Sequence, residues 1–141
     1  MTDRGRSGAA DRPGEHLFHV ALATEWEAAL RGAGYETSTL GRTVAEEGYT
    51  HCALTHQVAG VTARYYGDVA EPLVLLEVDP LLLTSPVVDE VPPGASEAFP
   101  HVYGPLDVVA VTAVHPLVRD DRGGLVLPDV VSGSRPSDPS S

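Results

Sequence analysis

The stretch EGYTHCALTHQ, residues 47–57, decides how the chain is read. Its first part alternates as a strand, with Thr50, Cys52 and Leu54 on one face and Tyr49, His51 and Ala53 on the other. Its end places Thr55 as a hydroxyl N-cap and predicts a helix over residues 56–66. A strand turning directly into a helix sets His51 beside free N–H groups and the positive end of a helix dipole. Thr55 and, about two turns further along, Arg64 are therefore candidate contacts for an anionic ligand group. On that helix Val58, Val61, Thr62 and Tyr65 mark one face, and Gln57, Gly60 and Arg64 another.

Upstream, residues 16–23 alternate as a second strand, with Phe18, Val20 and Leu22 on one face and His19 with Ala21 on the other. TEWE at 24–27 has the capping-box pattern, Thr24 at the N-cap and Glu27 three residues later. The helix it predicts turns Trp26, Ala29 and Leu30 inward and ends at Gly32 or Gly34. Downstream, LVLLEV at 73–78 is a continuous apolar run, the pattern of a strand buried on both faces, and Asp79-Pro80 stops it. Residues 86–91 read as an edge strand because Pro86 cannot donate to a ladder. FPHVYGP at 99–105 is a short extended piece, and residues 107–114 are the last strong strand. Several strands with two main helices, both in the N-terminal half, predict an α+β domain rather than a βαβ repeat.

The expected organisation is a disordered segment at 1–15, one domain at 16–118, and a mostly disordered tail at 119–141 with room for a short strand at 125–131. A chain of 141 residues fits one such domain. Twenty acidic residues stand against nine arginines and no lysine, for a net charge of −11. Nucleic acid needs a basic footprint, so it is an unlikely partner, and anionic membrane surfaces are disfavoured for the same reason. No apolar run approaches the roughly 20 residues that span a bilayer, and the N-terminus lacks a signal-peptide core, so a cytoplasmic location is expected. One cysteine forbids an internal disulfide and any Cys-based zinc framework. A small-molecule ligand remains the expected partner.

Histidines carry the candidate chemistry. His19 and His51 each have an alanine, Ala21 and Ala53, as the next residue on their face, which leaves room beside the ring. In the third motif Phe99, His101 and Tyr103 share a face, and Glu97 precedes them. Three strand-borne histidines of this kind suit the lining of one cleft. His51, His101, Glu97 and Tyr103 are the candidate catalytic residues, and His19, Thr55 and Arg64 the candidate ligand-binding ones. His16, His56 and His115 read as ordinary positions, and Cys52 as a core residue facing away from His51, which disfavours a Cys–His nucleophile pair. No metal site is expected: His51, His56 and His101 could supply three imidazoles, but a strand-borne His51 and a helix-borne His56 direct their rings apart. The pairs Glu46-Glu47 and Asp89-Glu90 read as solvated loop charges, against paired-carboxylate glycosidase chemistry.

The pieces FHVALATEWEAAL, EEGYTHCALTHQV, ARYY, LVLLEVDPLLL, FPHVYGPL and VVAVTAV, in this order, resemble the bacterial domain-of-unknown-function family 952 over about residues 17–117. Ala53 departs from the family pattern, in which a serine often follows the His-Cys pair. The family in turn resembles remotely the ADP-ribosyltransferase fold, in the branch that contains RNA 2′-phosphotransferases. That resemblance implies two small antiparallel sheets around a nicotinamide-dinucleotide cleft. It implies His19 on a ribose hydroxyl, His51 beside the nicotinamide end or the ligand phosphates, and Glu97, His101 or Tyr103 in a third position. The expected function is an enzyme acting at the ribosyl carbon of a nicotinamide dinucleotide or related nucleotide, with NAD as substrate or cosubstrate. The alternatives are a non-catalytic small-ligand binding module, and an enzyme using the same histidines on an unrelated biosynthetic intermediate.

Overall fold

A computed structural model describes residues 15–132. The chain enters at β1 (Leu17–Leu22) and passes without a break into α1 (Ala23–Ala28), which loosens into a π-turn over Ala29–Ala33. A small hairpin of β2 (Thr37–Thr39) and β3 (Arg42–Thr43) leads to the one-turn α2 (Val44–Glu47) and the short strand β4 (Thr50–His51). A 3-10 turn, Thr55–Gln57, opens α3 (Val58–Tyr65). Strands β5 (Leu73–Val78), β6 (Val87–Glu90), β7 (Phe99–Val102), β8 (Val111–Arg119) and β9 (Leu125–Val126) follow, and then α4 (Asp129–Ser132). No helix among the described residues is long and apolar enough to cross a membrane.

Two antiparallel sheets organise the α+β fold, one in the order β1-β5-β8-β9 and the other β4-β7-β6. The apolar run of β5 is explained by its central place: Leu76 and Val78 pack into one core cluster with Leu17, Trp26 and Tyr35, and Leu73 and Leu75 into another with Phe18, Val20 and Val58. Each such side chain, fully buried, contributes about 1.5–3 kcal/mol. The sheets meet where Phe18 and Ala53 exchange two backbone hydrogen bonds of 2.8 Å, so the strand bearing His19 runs beside the stretch bearing His51.

Several sequence expectations change in three dimensions. Leu22, not Thr24, is the N-cap of α1; Thr24 is exposed inside the helix and makes no capping bond. Trp26 and Ala29 are buried as expected, but Leu30 is 57% exposed, because the helix widens at Ala29 and breaks at Gly32, where φ is 104°. Thr55 does not cap α3 either. The side chain of Gln57 turns back to accept the Leu54 N–H at 2.8 Å and donates to the Ala98 carbonyl, so Gln57 is buried rather than on a polar face. Tyr65 is exposed rather than part of the inner face of α3. The stretch 107–114 begins as a 3-10 turn, Val108–Ala110, because the Ala110 N–H closes onto the Asp107 carbonyl; the strand starts at Val111 and runs to Arg119.

Beyond residue 118 the chain stays in the fold: β9 pairs with Val118 and Arg119, and Val131 is buried against the cluster of Phe18 and Leu75. The predicted N-terminal segment apart from Glu15, and residues 133–141, lie outside the described residues.

The two acidic pairs are not loop charges. Glu46 and Glu47 lie on α2, where Thr43 and Glu46 form a reciprocal capping box, and Asp89 and Glu90 lie on the edge strand β6. Gly48 ends α2 with φ of 93°, a conformation that costs a side chain about 1 kcal/mol. Gly48→Ala meets no atom within 4 Å, so urea denaturation should show a loss of about 1 kcal/mol from backbone strain alone.

Candidate functional site

In the second sheet His51 on β4 pairs directly with His101 on β7. Residues opposite each other on antiparallel strands share a face, so the two rings meet, with centroids 5.3 Å apart and planes at 69°. Tyr49, two residues before His51 and on its face, stacks on His101 at 4.1 Å and 12° and touches the rings of His51 and Tyr103 at 4.8 and 5.3 Å. Carboxylates flank this aromatic cluster. Glu90, reaching over from β6, accepts from Nδ1 of His101 at 2.7 Å and from the Tyr103 hydroxyl at 2.6 Å. Glu47 lies 3.3 Å from Nε2 of His51 and is paired with Arg42 at 3.1 Å.

These contacts set the protonation states. Burial lowers the pKa of His51, only partly opposed by its hydrogen bond to Glu47, so the ring is neutral near pH 7. With Nε2–H donated to Glu47, the lone pair of His51 is on Nδ1. The hydrogen bonds from Tyr103 and His101 hold Glu90 below the usual carboxylate range, and the same carboxylate pushes Tyr103 up to about 12. His101 is 2% exposed, and its Nε2 has no hydrogen-bond partner among the described residues, which in a buried acceptor costs about 1–3 kcal/mol.

His19 stands behind this cluster. Its Nδ1–H donates to the backbone carbonyl of His51 at 2.6 Å, and its Nε2 accepts from the Tyr35 hydroxyl at 2.8 Å. Burial lowers its pKa to about 4, so it is neutral at pH 7 with both nitrogens engaged. Its ring therefore braces the strand that carries His51 and has no free group for a ribose hydroxyl.

A cleft of about 670 Å³ opens between the two sheets and α3. Its floor is apolar, formed by Phe18, Val20, Val58, Leu75 and Phe99; His51, His101 and Glu47 stand at one part of its wall, and Arg64 is another lining residue. Arg64 is exposed and lies over the Tyr65 ring at 5.5 Å. Glu97 also lines the cleft but is solvent-exposed and paired with His56 at 3.0 Å, a bond that lowers the pKa of Glu97. Thr55 and Tyr103 are not among the lining residues; Tyr103 meets the wall indirectly, through Glu90 and the ring of Tyr49. Cys52 is buried in the core, which pushes its thiol up to about 12 and leaves it protonated and inert. No group of three His, Cys, Asp or Glu side chains among the described residues has the geometry to hold a metal.

The structure thus brings the rings of His51 and His101 together and places His19 on the same cleft, but with both of its nitrogens already engaged. It adds Tyr49, Glu47 and Glu90, which sequence reasoning missed. Tyr49 was legible, since it shares a strand face with His51 two residues on. Glu90 was not, because only the pairing of β6 with β7 brings it to His101.

Fold and site define an α+β protein with two antiparallel sheets and a wall of imidazoles and carboxylates on the cleft between them. The chain belongs to the family described as Protein of unknown function (DUF952), whose model matches residues 20–114. It is similar to the crystal structure of protein CC0527 from Caulobacter crescentus, with a TM-score of 0.70 and 28% identity over 83% of this chain and 98% of that one. The solution structure of CC0527 matches at a TM-score of 0.58 and 28% identity, over 77% of this chain and 90% of that one. No curated protein matches the chain.

Proposed function

We propose that the chain is an enzyme acting at the ribosyl carbon of a nicotinamide dinucleotide or related nucleotide bound in this cleft. The observation that carries the reading is His51: a neutral imidazole, half-exposed on the wall of a cleft of ligand size and oriented by a carboxylate. The resemblance to the ADP-ribosyltransferase fold supplies the reaction class, as an analogy of fold. Arg64 supports the same reading as the lining residue able to meet a ligand phosphate, and the apolar floor suits stacked rings.

In this scheme the bond from ribose C1′ to the nicotinamide nitrogen breaks, and its electron pair leaves with neutral nicotinamide. A water or acceptor hydroxyl bonds to C1′ and gives its proton to Nδ1 of His51, a general-base role. Glu47, rather than the rim residue Glu97, is the carboxylate placed to stabilise the positive charge this creates on the imidazole.

Calorimetric titration with NAD, together with chromatography of released nicotinamide, tests the proposal. His51→Ala should lower release by roughly 100-fold or more, with a smaller loss of binding. Absence of both binding heat and nicotinamide would sink the dinucleotide reading, and binding without product would favour a binding module.

A further inference from the structure

His101 is buried, lines the cleft, and leaves Nε2 without a protein partner among the described residues. Its other nitrogen is committed. Glu90, kept ionised by two donors, is acceptor only, so Nδ1 of His101 carries the proton of that hydrogen bond. In the neutral ring Nε2 is then a bare lone pair. Tyr49 stacked flat on one side and His51 standing edge-on hold the ring in place. Tyr103 donates to the same Glu90 oxygen and fixes the carboxylate in turn.

We propose that Nε2 of His101 is a ligand subsite selective for a neutral hydrogen-bond donor, a hydroxyl or an amide N–H. Glu90 sets the tautomer of His101, and Tyr103 positions Glu90. An anionic group has nothing to bond there, because a bare lone pair offers no hydrogen to an acceptor oxygen, so phosphates belong elsewhere along the cleft. The inference rests on the cleft being a binding site, and not on the ligand being a dinucleotide.

The imidazole nitrogens of ¹⁵N-labelled protein, read by long-range proton–nitrogen correlation at pH 7.5, test the proposal. The free protein should show His101 protonated at Nδ1 and bare at Nε2. Nicotinamide and ribose are the two donor probes; N,N-dimethylnicotinamide, nicotinate and fully O-methylated ribose are their donor-free counterparts. At least one donor should move the Nε2 signal, with its blocked counterparts binding tenfold more weakly or worse. A response to nicotinamide alone assigns the donor as amide, and to ribose alone as hydroxyl. Glu90→Gln should mix the two tautomers and abolish the discrimination while circular dichroism stays unchanged, since glutamine offers both a donor and an acceptor. Tyr103→Phe should keep the tautomer and reduce the discrimination. An Nε2–H tautomer in the free protein, equal response to blocked fragments, no response to either donor, or capture of zinc ion at Nε2 would overturn the subsite. Discrimination among fragments with no binding of NAD would uphold the subsite and remove only the dinucleotide reading.

Discussion

Replacing His19 with alanine is expected to cost the fold roughly 3 kcal/mol, measured by urea denaturation, while His51→Ala costs less than about 1 kcal/mol. His19 is 3% exposed and holds two partners, so truncation leaves a cavity and strands the buried Tyr35 hydroxyl and the His51 carbonyl. His51 is half-exposed, and Glu47, which its side chain hydrogen-bonds, keeps Arg42. Against a total stability of about 5–15 kcal/mol the His19 change is large.

The same residue gives the fold an acid dependence. In the unfolded chain His19 takes up a proton near pH 6.5, but in the folded protein only near pH 4. Above pH 6.5 both states are neutral and nothing is lost. Between pH 6.5 and 4 only the unfolded state gains the proton, so stability falls as pH falls, by about 3 kcal/mol at the lower limit. His51, whose pKa is also lowered, acts in the same direction. His19→Ala should therefore flatten most of the slope across this window; an unchanged slope would show that His19 is not buried as described.

Ending the chain after Val118, where the sequence suggests the domain stops, is expected to cost about 4 kcal/mol and to loosen the cleft floor. The deletion removes Val131 from the cluster of Phe18, Val20 and Leu75, along with the partly buried Leu125 and Leu127. It also removes Arg119, whose guanidinium donates to the carbonyls of Tyr66, Gly67 and Val69 beyond α3 and of Gly123 in the following turn. Arg119→Ala in the full chain should show a fraction of the loss. A shortened protein with an unchanged denaturation midpoint would mean that residues 119–132 add nothing to the core.

Period-2 alternation was enough to place β1, β4 and β7 and to say which face His19, His51 and His101 would take. The apolar run of β5, broken only at Glu77, likewise announced a strand covered on both sides, because only such a place hides four consecutive side chains, Leu73 to Leu76. Helix starts were harder to read. Thr24 and Thr55 have the chemistry of caps, but α1 grows straight out of β1 and the Gln57 amide closes the turn before α3, so neither hydroxyl is needed. The tail was legible only in part. Room for a short strand at 125–131 is where β9 pairs, but the Gly- and Asp-rich composition around it does not announce that residues 119–132 pack on a surface made by the rest of the chain.

What the sequence by itself determined is the main strands and the facing of their side chains, since both follow from local backbone geometry. What only the tertiary structure decided is which imidazoles keep company. The register His51 opposite His101, the reach of Glu90 from β6 and the position of His19 behind the strand all depend on pairings between segments 11 to 50 residues apart. Such pairings are chosen by how the whole core packs, and no local pattern records them.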